Sequence, residues 1–228
     1  MIDKVAFDMD GVLIDSERIS LAQWKKAGEM CGVQLDMSLF KHLCGSQMSQ
    51  MPPDIRAQFP PQDVLQRIMD IKAEMRAVNT TPFALKPGVN QLLDFLAAHG
   101  IKAYLVSSTA EPAARQRLAP YGLDHRMQGY MFGSMVKLRK PDPEIYLLAA
   151  AKFGLEGKHT IVVEDSESGV IAAHAAGLRV VGVPDCYDIA ELQQQGLCII
   201  KKDLIAVMHY IAAENGVQAD ATAPCMAG

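Results

Sequence analysis

The stretch Lys4-Val5-Ala6-Phe7-Asp8-Met9-Asp10-Gly11-Val12 places two acidic residues and a glycine directly after a short apolar run. The apolar run predicts a buried β-strand over residues 4–9, and the glycine marks the turn that ends it. Two carboxylates this close at the end of a strand repel each other, so a bound cation or a division of roles is expected. The stretch therefore predicts both a first strand and part of a polar site.

Three other short polar stretches follow predicted strands further along the chain. Because the carboxyl ends of parallel strands meet along one edge of a sheet, all four stretches are expected to come together. The three, each with the apolar run before it, are Ser107-Ser108-Thr109 after residues 103–106, Lys140-Pro141 after a shorter run at 130–132, and Glu164-Asp165 after residues 160–163.

The second half of the chain alternates between helical and strand-like patterns, which favours an α/β fold built on a parallel sheet. Helices are predicted over 89–99, after Glu111-Pro112, from Asp142-Pro143-Glu144 with Asp142 as N-cap, and over 169–176, with a further strand at 179–183. We assign residues 1–15 and 86–216 to this core. Residues 217–228, small and polar, are expected to be a frayed tail.

Residues 16–85 lack a convincing strand and predict an all-α insertion of about four helices, separated at Gly32, Gly45, and the Pro52-Pro53 and Pro60-Pro61 pairs. Two apolar faces at helical spacing are expected to form the core of the insertion. The first face has Leu21, Trp24, Ala27, Met30 and Cys31, and the second has Val64, Ile68, Ile71 and Met75.

Composition excludes several classes of protein. The 228 residues are 50% hydrophobic and 21% charged, with a formal net charge of −4. No apolar run approaches the ~20 residues that cross a bilayer, so no membrane association is expected. No basic stripe indicates nucleic-acid binding. The first residues lack a signal-peptide pattern, and the five cysteines have no zinc-like spacing, so we expect a cytoplasmic protein with reduced thiols.

The acidic residues suit phosphoryl transfer. Asp8 can act as a nucleophile that forms an aspartyl-phosphate, while Asp10 acts as general acid and base. A carboxylate attacks a dianionic phosphoryl group only when cations screen the repulsion. Glu164 and Asp165 supply the hard oxygen ligands that Mg²⁺ prefers.

The remaining stretches supply positive charge and hydrogen-bond donors. Lys140 provides the compensating ammonium group. Ser107 and Ser108, with the backbone N–H groups that follow Ser107, can hold the phosphoryl oxygens. Each stretch alone is more typical of a turn, a helix cap or a solvated loop, but the four in this order indicate one catalytic site.

In these motifs the chain resembles the haloacid dehalogenase superfamily, in its branch of sugar-phosphate phosphatases and β-phosphoglucomutase-like proteins with a helical cap. The resemblance implies a Rossmann-like core, Mg²⁺ dependence, Asp8 as nucleophile and Asp10 as acid/base. It also implies metal contacts from Asp8, the backbone carbonyl of Asp10 and Asp165, with Glu164 a direct or water-mediated partner. The matching motifs are 8–13, Ser107, 140–143 and 164–169, extended by 15–17, 87–88 and 172–177.

Two cap positions favour a phosphatase over a mutase. β-Phosphoglucomutases share a histidine on the first cap helix and an arginine on the cap loop. Here Ser20 and Met48 stand at those positions, and losing the guanidinium removes a strong phosphate clamp. We therefore expect a phosphatase acting on a small sugar or polyol phosphate.

In the cap, Ser46 and Gln47 suit a polyol, and Lys72 suits a carboxylate or phosphate. A β-phosphoglucomutase-type phosphotransferase is one alternative function. The other is a non-catalytic regulator that senses a phosphometabolite. The physiological substrate and the oligomeric state cannot be read from the sequence.

Overall fold

The computed structural model of the chain describes residues 1–42, 53–78 and 81–219. Its centre is a sheet of six parallel strands in the order β3-β2-β1-β4-β5-β6. The strands are β1 (Lys4–Phe7), β2 (Lys102–Ser107), β3 (Gly129–Phe132), β4 (Thr160–Glu164), β5 (Arg179–Gly182) and β6 (Ile199–Ile200).

The first strand lies at the centre of the sheet. In register, Lys4 of β1 is opposite Lys102 of β2 on one side and Thr160 of β4 on the other. The chain thus winds in both directions from β1, and the crevice at such a switch point is where open α/β sheets bind ligands. The predicted α/β fold with a Rossmann-like parallel sheet is confirmed.

Helices cover both faces of the sheet. Buried side chains alternate along β1, with Val5 and Phe7 in one core cluster and Ala6 in the other. A sheet covered on both faces explains why the strands are almost continuously apolar. The α-helices are α1 (Glu17–Met30), α2 (Pro53–Arg56), α3 (Gln62–Val78), α4 (Val89–Ala98), α5 (Glu111–Leu118), α6 (Glu144–Phe153), α7 (Glu167–Ala175), α8 (Ala190–Gln194) and α9 (Leu204–Asn215).

Between residues 16 and 78 the described elements are all helical: α1, a 3-10 helix at Met37–His42, α2 and α3. The buried contacts between α1 and α3 involve Ala27, Ile68 and Ile71. Met30 was expected on the same face of α1 but is 60% exposed. Six residues beyond Trp24, at about 100° per residue, Met30 has rotated out of the apolar stripe.

Two chain segments join these helices to the sheet, and they run side by side. The N–H of Asp15 donates to the carbonyl of Ala84 at 2.8 Å, and the N–H of Lys86 donates to the carbonyl of Leu13 at 3.0 Å. Lys86 also forms an ion pair of 2.5 Å with Asp185, whose side chain is buried. The helical region is therefore fixed to the core beside the residues that follow β1.

The last part of the core was not predicted from the sequence. α8 and the two-residue β6 are short, and α9 packs against α4 with Leu204, Val207, Met208 and Ile211 buried. Of the predicted frayed tail, residues 217–219 are described, and Ala219 packs against the core. Among the described residues, no helix has both the length and the apolar character that a bilayer span requires.

Candidate active site

The carboxyl ends of the central strands bring the predicted polar residues to one edge of the sheet. Asp8 directly follows β1, while Ser107 and Glu164 end β2 and β4. The N–H of Asp8 donates to the carbonyl of Val163 at 3.0 Å, which continues the strand pairing to the site. Lys140 reaches the same edge from the loop before α6.

Lys140 is the buried centre of this edge. It is 1% exposed, and its Nζ lies 2.7 Å from Asp8 Oδ1 and 2.6 Å from Glu164 Oε1. Nζ also donates to the carbonyl of Val106 at 3.3 Å. Burial alone would lower the pKa of Lys140, but the negative charges of Asp8 and Glu164 outweigh burial and raise it well above its usual value. The lysine is therefore held as a cation.

Glu164 is fixed by other hydrogen bonds as well. The hydroxyl of Tyr146, fully buried on α6, donates to Glu164 Oε1 at 2.6 Å, and Ser166 Oγ lies 3.2 Å from Oε2. A Cβ on Gly169 would lie 2.1 Å from the Glu164 carboxyl carbon, so only glycine fits at that place on α7. Both oxygens of Glu164 are thus engaged with protein groups.

Asp165 completes a group of three buried carboxylates with Asp8 and Glu164, whose oxygens lie within 4.8 Å of one another. Burial, together with the charges of Glu164 and Asp10, raises the pKa of Asp8 to about 7 despite Lys140. Burial, together with the charges of Glu164 and Asp8, raises the pKa of Asp165 well above its usual range. A divalent cation would relieve this repulsion, and the all-oxygen donor set fits Mg²⁺.

Gly11 lets the turn after β1 approach Asp165. Its φ is +81°, and a Cβ at this position would lie 2.0 Å from Asp165 Oδ2. A side chain here would strain the backbone and displace a carboxylate of the acidic group. This explains physically why glycine follows the two aspartates.

The Asp10 side chain is held by a different set of groups from those that hold Asp8. Ser16 Oγ lies 2.5 Å from Asp10 Oδ1, Thr109 Oγ1 lies 2.7 Å from Oδ2, and Arg117 Nη1 also donates to Oδ1. Metal contact was predicted for Asp10 through its backbone carbonyl, and that contact stays a prediction. The two aspartates have different partners, which suits different chemical roles.

The two predicted phosphate-binding serines differ in position. Ser107 is completely buried, and its Oγ accepts a hydrogen bond of 3.1 Å from the N–H of Thr109. Ser108 and Thr109 line the cavity above the sheet edge, whereas Ser107 shapes the turn beneath them. Phosphate binding by Ser107 and Ser108 stays a prediction.

A cavity of about 310 Å³ lies between the sheet edge and the helical region. Asp8, Asp10, Lys140 and Asp165 line the sheet side. Lys72 of α3 lines the opposite side, where its Nζ donates to Ser20 Oγ at 2.8 Å and lies 4.7 Å from the Trp24 ring centre. The other predicted cap contacts, Ser46 and Gln47, lie outside the described residues.

Sequence reasoning missed several charged and polar groups at this cavity. Arg76 on α3 and Arg117 on α5 line it, as does Arg139 in the loop before α6. Tyr146 was also missed. No local pattern distinguishes these residues from surface or core positions, because only the packing of helices against the sheet edge brings them to the site.

Comparison with known proteins identifies similar sequences. The family model described as "Haloacid dehalogenase-like hydrolase" matches residues 5–183. The "Phosphorylated carbohydrates phosphatase" of Thermotoga maritima is 33% identical over 184 residues, covering 80% of this chain and 85% of that protein. The "Beta-phosphoglucomutase" of Bacillus subtilis is 29% identical over 189 residues, covering 78% and 82%.

A similar architecture occurs in solved structures. A hydrolase from Pseudomonas syringae superposes with a TM-score of 0.76 at 23% sequence identity, covering 94% of this chain and 99% of that chain. At this level of identity the likeness concerns the fold.

Proposed function

The chain belongs to the haloacid dehalogenase-like hydrolase family as a phosphoric monoester hydrolase, and on this premise we propose that it hydrolyses a small sugar or polyol phosphate. The proposed reaction passes through a phosphorylated Asp8. The observation that carries the proposal is the pair Asp8 and Asp10 on one side of a single cavity with different partners. A protein that only sensed the ester would have no need for an acid/base beside the nucleophile.

In the first step, an Asp8 oxygen attacks phosphorus as the bond from phosphorus to the ester oxygen breaks. Protonated Asp10 gives its proton to the departing alkoxide, which leaves as an alcohol. Lys140 holds Asp8 in position and screens its charge from the incoming dianion. Asp10 is left ionised, and Ser16 and Thr109 can donate hydrogen bonds to it.

In the second step, water attacks phosphorus of the acyl phosphate and Asp10 takes the proton of that water. The bond from phosphorus to the Asp8 oxygen breaks, which releases inorganic phosphate and restores both aspartates to their starting forms. One residue thus serves first as acid and then as base, as the sequence of two displacements requires.

Mg²⁺ is the proposed cofactor, held by Asp8, Asp165 and the Asp10 carbonyl, with Glu164 as a direct or water-mediated partner. When bound, a divalent cation would screen the electrostatic repulsion between the attacking carboxylate and the phosphoryl dianion. Its proposed binding is supported by the three neighbouring carboxylates and by the raised pKa values of Asp8 and Asp165.

Removal of divalent metal is expected to silence the enzyme. After EDTA treatment and desalting, hydrolysis of an aryl phosphate should fall to background and return when Mg²⁺ is added. Ca²⁺ should not restore it and should inhibit in competition with Mg²⁺, because the larger ion accepts more ligands and a looser carboxylate geometry. Full activity after exhaustive chelation would contradict the metal site.

A mutase is the second candidate, and the cations on the helical side of the cavity favour it. Lys72 and Arg76 line the side of the cavity where a second phosphate would have to be held. Ser20 and Met48, however, stand in place of the histidine and arginine of β-phosphoglucomutases. A mutase must keep a bisphosphate intermediate bound while that intermediate reorients in the site. A phosphatase needs only water to reach the phosphorylated aspartate.

Incubation with β-glucose 1-phosphate and a trace of glucose 1,6-bisphosphate separates the two candidates. We expect inorganic phosphate to be released and little glucose 6-phosphate to form. Phosphate is measured colorimetrically, and glucose 6-phosphate by coupling to its dehydrogenase. Isomerisation faster than phosphate release would replace the phosphatase by the mutase. If neither product forms, a panel of other sugar and polyol phosphates tests hydrolysis itself.

A further inference from the structure

A second, smaller cavity of about 160 Å³ adjoins the active-site cavity. Gln23 of α1, Arg76 of α3, Phe83 and Arg117 of α5 line both cavities. These four residues therefore form the boundary through which the two spaces meet. We call the smaller space the side pocket.

Two guanidinium groups meet at one aromatic ring on this boundary. The central guanidinium carbons of Arg76 and Arg117 lie 5.7 and 5.4 Å from the centre of the Phe83 ring. Phe83 is itself held in place, because the hydroxyl of Tyr121 donates to its backbone carbonyl. Stacking orients planar guanidinium groups and leaves their edges available for hydrogen bonds.

The positive charge of Arg76 is not neutralised by the part of the chain that the structure describes. Arg76 forms no ion pair with any residue in 1–42, 53–78 or 81–219, in contrast to Lys140, which has Asp8 and Glu164. It therefore presents a full positive charge to both cavities.

Arg117 also retains hydrogen-bonding capacity. Both of its hydrogen bonds to Asp10 and Thr109 come from Nη1, while Nε is buried without an acceptor among the described residues. A buried donor left without an acceptor is unfavourable. The Nε and Nη2 edge of a guanidinium matches the two oxygens of a carboxylate or phosphate.

The side pocket contains no acid to balance these charges within its described lining. Besides the shared residues, the lining is neutral: Thr81, Pro82, Ala113, Gln116 and Pro120. On the main-cavity side, Arg117 lies against Asp10, the group proposed to protonate the departing alkoxide. A group in the side pocket would therefore belong to the leaving-group end of the substrate.

We propose that the side pocket binds an anionic group, a carboxylate or a second phosphate, at the end of the substrate remote from the ester that is cleaved. This inference rests on the proposed phosphatase function and names its substrate class as phosphate esters with a second anion. Arg76 and Arg117 hold that anion, and Gln23 can donate a further hydrogen bond.

Two matched substrate pairs test this proposal. In the first pair, sorbitol 6-phosphate ends in an alcohol where 6-phosphogluconate ends in a carboxylate. In the second pair, fructose 1,6-bisphosphate carries a second phosphate that fructose 1-phosphate lacks. We expect kcat/KM for one doubly anionic member to exceed that of its partner by about tenfold or more, mainly through a lower KM. The pair that shows the preference identifies the anion.

Arg76→Gln should reduce that preference to near unity, because it removes the charge and keeps much of the side-chain length. Arg67→Gln is the matched control: Arg67 lies on the same helix, nine residues and about 180° away from Arg76, and is exposed outside the two cavities. The control should keep the preference of the wild type.

The outcomes are distinct. No preference in the wild type, with both pairs and an aryl phosphate hydrolysed, would overturn the anion pocket and leave the phosphatase intact. An equal loss in Arg76→Gln for both members of a pair would also overturn it, since Arg76 would then serve the phosphoryl group common to both. No hydrolysis of any ester, the aryl phosphate included, would overturn the phosphatase first and the pocket with it.

Discussion

Asp8→Asn is expected to lower turnover by at least about 10³-fold, because removal of the nucleophile in other covalent enzymes has effects of this size or larger. The amide is nearly isosteric with the carboxyl group but does not attack phosphorus. Its oxygen can still accept the hydrogen bond from Lys140, which spans 2.7 Å in the wild type. The fold should therefore persist while the reaction stops.

The measurement is hydrolysis of an aryl phosphate with Mg²⁺ present, together with a thermal unfolding curve for each protein. Asp70→Asn is the matched control, since Asp70 is exposed on α3 and lies outside the cavity lining. That variant should retain the wild-type rate. An Asp8→Asn rate within about tenfold of the wild type would contradict the covalent role, since a nucleophile contributes far more than this.

The sheet and its polar edge were predictable because local sequence encodes them. The apolar runs before Asp8, Ser107 and Glu164 each form a parallel strand, and parallel strands end at the same edge. Lys140 was identified only through its place in the order of motifs. It follows β3 by eight residues, and no periodicity shows that its ammonium returns to Asp8.

The partners of these residues were not predictable in the same way. Arg117 reaches Asp10 from a helix whose sequence, with charges on several faces, does not mark one arginine as half-buried. The sequence pattern places Tyr146 at an ordinary apolar position of α6. Its hydroxyl nevertheless donates a hydrogen bond to the Glu164 carboxylate. Both contacts depend on how helices pack against the sheet, which one sequence does not specify.

The contacts of Glu164 give it a role beside the predicted metal contact, which stays a prediction. The sequence suggested a metal ligand, direct or through water. In the structure its oxygens accept hydrogen bonds from Lys140, Tyr146 and Ser166. Its main effect among the described contacts is thus to balance the charge of Lys140 and orient the lysine toward Asp8. This arrangement can be tested by removing the lysine.

Lys140→Met is expected to destabilise the protein by about 3–5 kcal/mol, because breaking a buried ion pair leaves uncompensated charge inside the protein. The methionine fills similar volume but leaves Asp8 and Glu164 without their shared cation. Hydrolysis should fall by at least about 10²-fold, since the ammonium no longer stabilises charge beside the nucleophile. Urea unfolding in the presence of EDTA measures the stability of the metal-free protein.

Glu164→Gln in the Lys140→Met background separates stability from catalysis. The second change removes the charge of Glu164, one of the two carboxylates left without a cation. The glutamine oxygen can still accept the hydrogen bond from Tyr146. Much of the lost free energy of unfolding should return, since a neutral hydrogen-bonded side chain is far less costly to bury than a charge. Activity should stay low, because the double variant still lacks a cation beside Asp8. Recovery of both stability and hydrolysis would instead make Lys140 a structural counter-ion with no part in the reaction.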